Sequence, residues 1–129
     1  FRMKKEFPRT FRVFGYQLNG NWVAFRSGFH LKNHLEAHFI GIDYVINENF
    51  PLYQRVLYDF IAEGIESGYQ KIFLGRTAAE MKSTVGALPH DLVCYIRHRN
   101  GLSNQVIRPF IDYLKPSPWT PRNPFKEES

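Results

Sequence analysis

Lys82 is the side chain whose position in this sequence most directly suggests chemistry. It falls within residues 71–89, KIFLGRTAAEMKSTVGALP. Ile72, Phe73 and Leu74 form a brief apolar run stopped by Gly75, the pattern of a strand covered on both faces. Thr77, followed three residues later by Glu80, is a capping box and predicts that a helix starts there. Gly86, with Pro89 beyond it, predicts a left-handed end. Lys82 is thus placed about one and a half turns into a helix that leaves the end of a buried strand. Turned inward, its amine faces a ligand crevice; turned outward, it is an ordinary solvated lysine. Desolvation, or a second cation such as Arg76 at the turn, would lower its pKa. His38 and Asp43 are the nearest other titratable groups of interest. They lie on opposite faces of a strand expected over 35–44, so at most one of them points into a given crevice. Glu36 shares the face of His38 and is placed to orient its ring.

Other constellations carry less. His30, His34 and His38 recur every four residues, a spacing that aligns three imidazoles only on a helix, and the expected strand breaks it. No cysteine or carboxylate completes that set, so no metal is expected. Cys94 and His98, four residues apart on another expected strand, would be separated by ~13 Å and form no dyad. Gly75 through Lys82-Ser83 lacks the second glycine that a phosphate loop places before its lysine. Arg97, His98 and Arg99, with Lys115 and Arg122, form a possible basic patch, and Tyr95 or Trp119 would add stacking. That combination gives an alternative reading as a small basic RNA-binding domain.

The elements that must position these groups are legible in order. Residues 1–9 read as a basic, irregular linker. Residues 10–18 and 21–27 are β-rich runs joined by Asn19-Gly20, the strongest short-range hairpin signal. Residues 28–34 read as a basic, histidine-bearing loop, followed by the strand over 35–44. Within it Gly41 marks a bulge or a close approach by another group. Residues 47–50 read as a turn. From 51 to 67 the apolar residues Leu52, Tyr53, Val56, Leu57, Phe60, Ile61 and Ile65 keep the three-four spacing of an amphipathic helix. A further strand is expected over 92–99 and a final helix over 103–114. The tail, 115–129, has four prolines and is expected to be extended or disordered, laid across the domain by Trp119. A mixed central sheet with helices on both faces, an α/β (α+β) domain over 10–114, satisfies this order.

The bulk properties bound the setting. A chain of 129 residues is one domain with a proper core, and twelve Phe and seven Tyr make that core aromatic-rich. A formal net charge of +5 favours an anionic partner. The single cysteine, Cys94, excludes an internal disulfide and fits a reducing, cytoplasmic setting. No apolar run is long enough to span a membrane. The first residue is Phe1, which leads to the expectation of a fragment whose upstream neighbour holds part of the site.

The run Gly75-Arg-Thr-Ala-Ala-Glu-Met-Lys-Ser-Thr-Val-Gly-Ala resembles the closing motif of the GNAT acyltransferase superfamily. It is most similar to the Fem-like branch, which includes peptidoglycan biosynthesis/recognition acyltransferases. Ordinary members carry Ala-x-x-x-Tyr-x-x-x-Gly-Phe here, and the tyrosine protonates the leaving thiolate of coenzyme A. Ala78, Lys82, Gly86 and Ala87 occupy that frame, with lysine in place of tyrosine, as in the Fem-like branch. The resemblance implies a GNAT-like sheet lacking the first strand and acceptor-side helices of a full domain. It implies transfer of an acyl or aminoacyl group, from acyl-CoA or aminoacyl-tRNA, to an amine or hydroxyl acceptor. Lys82 would stabilise the oxyanion or protonate the leaving group, and His38 or Asp43 would be the base. Donor-binding groups would be Tyr44, Asn47 and Asn49 ahead of the 51–67 helix, with Arg76 and Thr77 at the turn. The family's glycine-rich loop before that helix is replaced by Val45-Ile-Asn-Glu-Asn-Phe-Pro, a departure shared with Fem-type enzymes that take their acyl group from tRNA. A non-catalytic GNAT-like recognition module is the second alternative.

Overall fold

Asn19 and Gly20 close the first hairpin with φ values of 51° and 82°, the pair of left-handed residues that a two-residue type I′ turn requires. The structure, a computed structural model, describes residues 2–93, 95–97, 99–101, 103 and 119–125. Its first elements are α1 (Arg2–Glu6), β1 (Phe11–Leu18), β2 (Asn21–His30) and β3 (His34–Ile42). They are followed by α2 (Tyr44–Asn49), α3 (Leu52–Glu66), β4 (Lys71–Phe73) and α4 (Ala79–Ser83). The strands form one sheet in the order β1-β2-β3-β4, antiparallel except for the parallel pair β3/β4. The fold is therefore mixed α/β with a four-stranded mixed sheet.

The core lies between this sheet and α3. Val56 and Phe60 of α3 pack with Leu35 of β3, and Tyr16, Ala37, Ile40, Tyr69, Ile72 and Leu74 close around them. Leu35, Ala37 and Ile40 share the core although strict alternation would separate Ala37 from Ile40. A β-bulge reconciles them. Ser27 pairs with Phe39 and Gly28 with Ala37, so His38 is the extra residue and the alternation shifts by one. The Ser27 hydroxyl occupies the gap, accepting from the Phe39 amide at 3.2 Å and donating to its carbonyl at 3.3 Å. The bulge is thus at His38 and not at Gly41. Gly41 instead clears a bulky neighbour, since a Cβ there would lie 2.1 Å from the Phe25 ring.

A buried polar cluster lies beside the apolar core. Arg26 of β2 donates from Nη1 to Glu63 Oε2 of α3 at 2.6 Å, and its guanidinium sits 4.2 Å from the Phe14 ring centre and 4.7 Å from that of Phe60. Arg12 Nη1 and His30 Nε2 approach the other Glu63 oxygen at 3.8 and 3.5 Å. Burial lowers the His30 pKa, with Glu63 opposing that effect and Arg12, Arg26 and Lys4 adding to it. A neutral ring accepts from the Tyr69 hydroxyl at Nδ1, 3.3 Å away, and turns Nε2–H towards Glu63.

Several expectations are corrected. Residues 2–6 form a helix rather than an irregular linker, and Phe7 at its end packs edge-on against Phe29, 5.8 Å between ring centres. The expected 28–34 loop shrinks because β2 runs on to His30 in register with Leu35. The expected 47–50 turn belongs to α2, whose start is capped by Asp43; its Oδ1 accepts from the Val45 and Ile46 amides at 3.0 and 3.2 Å. The 51–67 helix is present as α3. β4 is not covered on both faces: it is three residues long and Phe73 is 43% exposed. Residues 92–93, 95–97 and 99 of the expected 92–99 strand are neither helix nor strand and are exposed, so among the described residues their alternating pattern meets no ladder to pair with. The expected final helix lies outside the described residues except at Ser103. Among the described residues, α3 covers one face of the sheet and α1 only the margin of the other. On that second face Trp22 is 70% and Phe39 64% exposed.

The Arg26–Glu63 pair yields the first prediction. Both side chains are largely buried, 8% and 13% exposed, so Glu63→Ala strands a cation in the core and should cost about 3 kcal/mol in chemical denaturation. Replacing both partners by apolar residues of similar volume should cost clearly less. Equal losses would show that the pair does not act as a unit.

Candidate functional site

β3 and β4 are joined by three residue pairs, His34 with Lys71, Leu35 with Ile72 and Glu36 with Phe73. β3 then continues to Ile42 while the chain after Phe73 turns away, so the two parallel strands part in a fork. Gly75, at φ 78°, stands in the fork: a Cβ placed on it would lie 3.8 Å from the Ala37 carbonyl oxygen and 3.7 Å from Lys82 Nζ. The amine therefore reaches back from α4 to the point where the strands separate.

The local chain explains how. Ala78 precedes α4 in a left-handed conformation, φ 54° and ψ 46°, with no side-chain cap. The Thr77 carbonyl accepts a hydrogen bond from Lys82 Nζ. The expected Thr77–Glu80 capping box does not form; the Glu80 carboxylate is taken by Arg122, through Nη2 at 2.6 Å and Nε at 3.0 Å. A charged guanidinium outcompetes a backbone amide for a carboxylate. The expected left-handed end is present. Gly86 has φ 80°, its amide donates to Ser83 at 3.1 Å and the Ala87 amide to Lys82 at 3.3 Å, a Schellman closure.

Lys82 is 7% exposed. Burial, rather than Arg76, lowers its pKa, and no carboxylate pairs with it among the described residues. A buried amine with one backbone carbonyl as partner retains donor capacity for an oxyanion or a leaving atom.

The other expected site residues disperse. His38 is exposed and its ring packs against Phe39, Phe29 and Phe11, at 4.3, 5.5 and 5.7 Å between centres. It follows Ala37 directly in sequence, but its ring turns towards β2 and β1 rather than towards β4. Asp43 is committed to capping α2 and lies just past the end of β3, up to about 20 Å of chain beyond Ala37. Tyr44 is 78% exposed and Asn49 is exposed, at the two ends of α2. Asn47 Oδ1 accepts from the Tyr53 amide at 3.1 Å, and the Leu52 amide donates to Phe50 at 2.6 Å. The N-terminus of α3, expected to offer free amides to a pyrophosphate, is thus partly closed by the chain itself, and Pro51 contributes no amide. Arg76 and Thr77 are exposed beside the fork. Of the basic patch, Arg97 and Arg99 are exposed, Arg122 is engaged by Glu80, and His98 and Lys115 lie outside the described residues. His30, His34 and His38 have separate surroundings: the Glu63 cluster, Phe73 at 5.3 Å, and the aromatic group around Phe29. Sequence reading missed Ser83 and Arg122 as structural partners of the Lys82 helix, because 39 residues separate them. Compared with known proteins, the chain matches no family model, no curated protein and no solved structure.

Two predictions follow from this geometry. Ala78→Gly removes the left-handed strain of an L-residue and should stabilise the fold by up to about 1 kcal/mol; a loss in urea unfolding would contradict that conformation. For Lys82, a pKa below the ordinary 10.5 means that the folded state sheds its proton first. Wild-type stability should therefore rise with pH between the lowered pKa and 10.5, and Lys82→Met should lack this rise. The two melting curves, compared across that window, should converge as pH increases.

Proposed function

We propose that this chain is a GNAT-like acyltransferase domain moving an acyl or aminoacyl group to an amine or hydroxyl acceptor. The observation that carries the reading is the Lys82 amine, buried beside the fork between two parallel strands. In the GNAT arrangement that the sequence resembles, the acyl donor lies in such an opening. The acceptor's lone pair attacks the acyl carbonyl, forming the new C–N or C–O bond and a tetrahedral oxyanion. Collapse breaks the bond to the donor's sulfur or oxygen, and Lys82 gives its proton to that leaving atom. A lowered pKa makes the ammonium a better acid for this step. The acceptor's proton passes to a base, for which His38 is kept as the candidate because Asp43 is committed to its cap.

The partly closed N-terminus of α3 favours an aminoacyl-tRNA donor, or a coenzyme A held differently, over a pyrophosphate seated on that helix. The same observation favours a second reading, a non-catalytic module that binds an acylated ligand. No helix among the described residues is long and apolar enough to cross a membrane, and a cytoplasmic setting is part of the proposal.

Acyl transfer from acyl-CoA or aminoacyl-tRNA to amine acceptors tests the reading. Lys82→Ala should lower turnover about a hundredfold or more while the protein melts cooperatively. A melting-temperature rise with donor in both proteins, and transfer in neither, would replace the enzyme by the binding module.

A further inference from the structure

Residues 119–125 lie against α4 and touch it along one line. The Arg122 amide donates to Ser83 Oγ at 2.8 Å, and the Arg122 guanidinium holds Glu80. The Phe125 ring occupies the notch at Gly86, where a Cβ would lie 2.7 Å from the ring. Glu80, Ser83 and Gly86 are spaced by three, the spacing of one side of a short helix. The Ser83 hydroxyl in turn donates to the Glu80 carbonyl at 2.6 Å, so the segment and the helical turn share one hydrogen-bond chain.

Among the described residues, α4 is otherwise held by the Lys82–Thr77 hydrogen bond and its Schellman end. It is five residues long and lacks a side-chain N-cap, and an isolated helix of that length does not persist in water. Ser83 is 3% exposed and its neighbour Lys82 7%. Both sit in the turn that the segment clasps, and Arg122 comes from 42 residues beyond Glu80.

We propose that residues 119–125 form a strap that positions Lys82, with Arg122, Ser83 and Phe125 as positioning residues. The strap fixes the single turn of α4 from outside and thereby keeps the amine buried at the fork. Its importance for reaction rests on the reading of Lys82 as the working amine; its effect on Lys82 does not.

The test is labelling of the full chain with an amine-reactive acylating reagent across pH, read lysine by lysine by mass spectrometry. Lys71, exposed on β4, is the internal reference. In the wild type, Lys82 should label more slowly than Lys71 at high pH and with a lower pH midpoint. In Arg122→Ala and in Phe125→Ala its high-pH rate should rise about tenfold, and its midpoint should move up towards that of Lys71. Arg122→Lys, which keeps a cation for Glu80, should recover most of the wild-type profile. Unchanged Lys82 rate and midpoint in both alanine variants would overturn the strap. Loss of cooperative melting in both would also overturn it, since a strap that only positions Lys82 is not required by the sheet. A labelling shift with no acyl transfer in any of these proteins, wild type included, would leave the strap standing and remove the transfer reading.

Discussion

The parallel pairing of β3 with β4 lasts three residues, and the rest of the site depends on where it stops. A parallel pair needs a crossover, which α3 supplies, and the crossover delivers the returning strand to the free edge of β3. Antiparallel pairing with β2 carries β3 on to Ile42 along its other edge. Among the described residues β4 has no such second partner. Past Phe73 the chain leaves the ladder, Gly75 stands beside the Ala37 carbonyl, and the Lys82 amine comes up to Gly75 there. A β4 longer by a few residues would close the fork.

What fixes α3 over that edge is partly directional. Apolar contact between Val56, Phe60 and Leu35 supplies most of the favourable free energy, but such contact tolerates sliding. Glu63 does not. Its two oxygens address Arg26 and His30 on β2 and Arg12 on β1, and Tyr69, just beyond the helix, closes on the far side of the His30 ring. A buried ion pair of this kind adds little net stability. The geometry nevertheless ties one helix position to two strands, which sets the register of α3 and so the point at which β4 starts.

The parts legible in the sequence are those governed by one local signal. Asn19-Gly20 determines its turn by φ alone, and the three-four spacing of 52–66 survives because a single face is buried. The missed features each depend on a competitor distant in sequence. Thr77 and Glu80 satisfy a capping pattern, but Arg122 takes the carboxylate. Alternation puts His38 on one face with Ile40, and the bulge opposite Ser27 parts them. Asp43 looked like a base on a strand, yet two amides following it made it a cap. The run at 92–99 has strand composition and no described edge to join. Of the candidate site, the position of Lys82 beyond the end of β4 was legible; its burial was not, since the turn that carries it packs against a segment some forty residues further on.

Whether the buried lysine serves the fold or uses it can be argued from magnitudes. Its hydrogen bond to Thr77 is a charge-assisted contact of about 1.5–3 kcal/mol. Desolvating an ammonium that has no carboxylate partner among the described residues costs several kcal/mol, and burial lowers its pKa in keeping with that. The alkyl stem contributes apolar contact, but a methionine would contribute the same without the penalty. The left-handed Ala78, which brings the Thr77 carbonyl to the amine, adds strain of its own. Two unfavourable features are thus arranged around one amine, held by a clasp from a distant segment. Stability alone would remove all three, and the proposed role of the amine as a donor at the fork would account for keeping them.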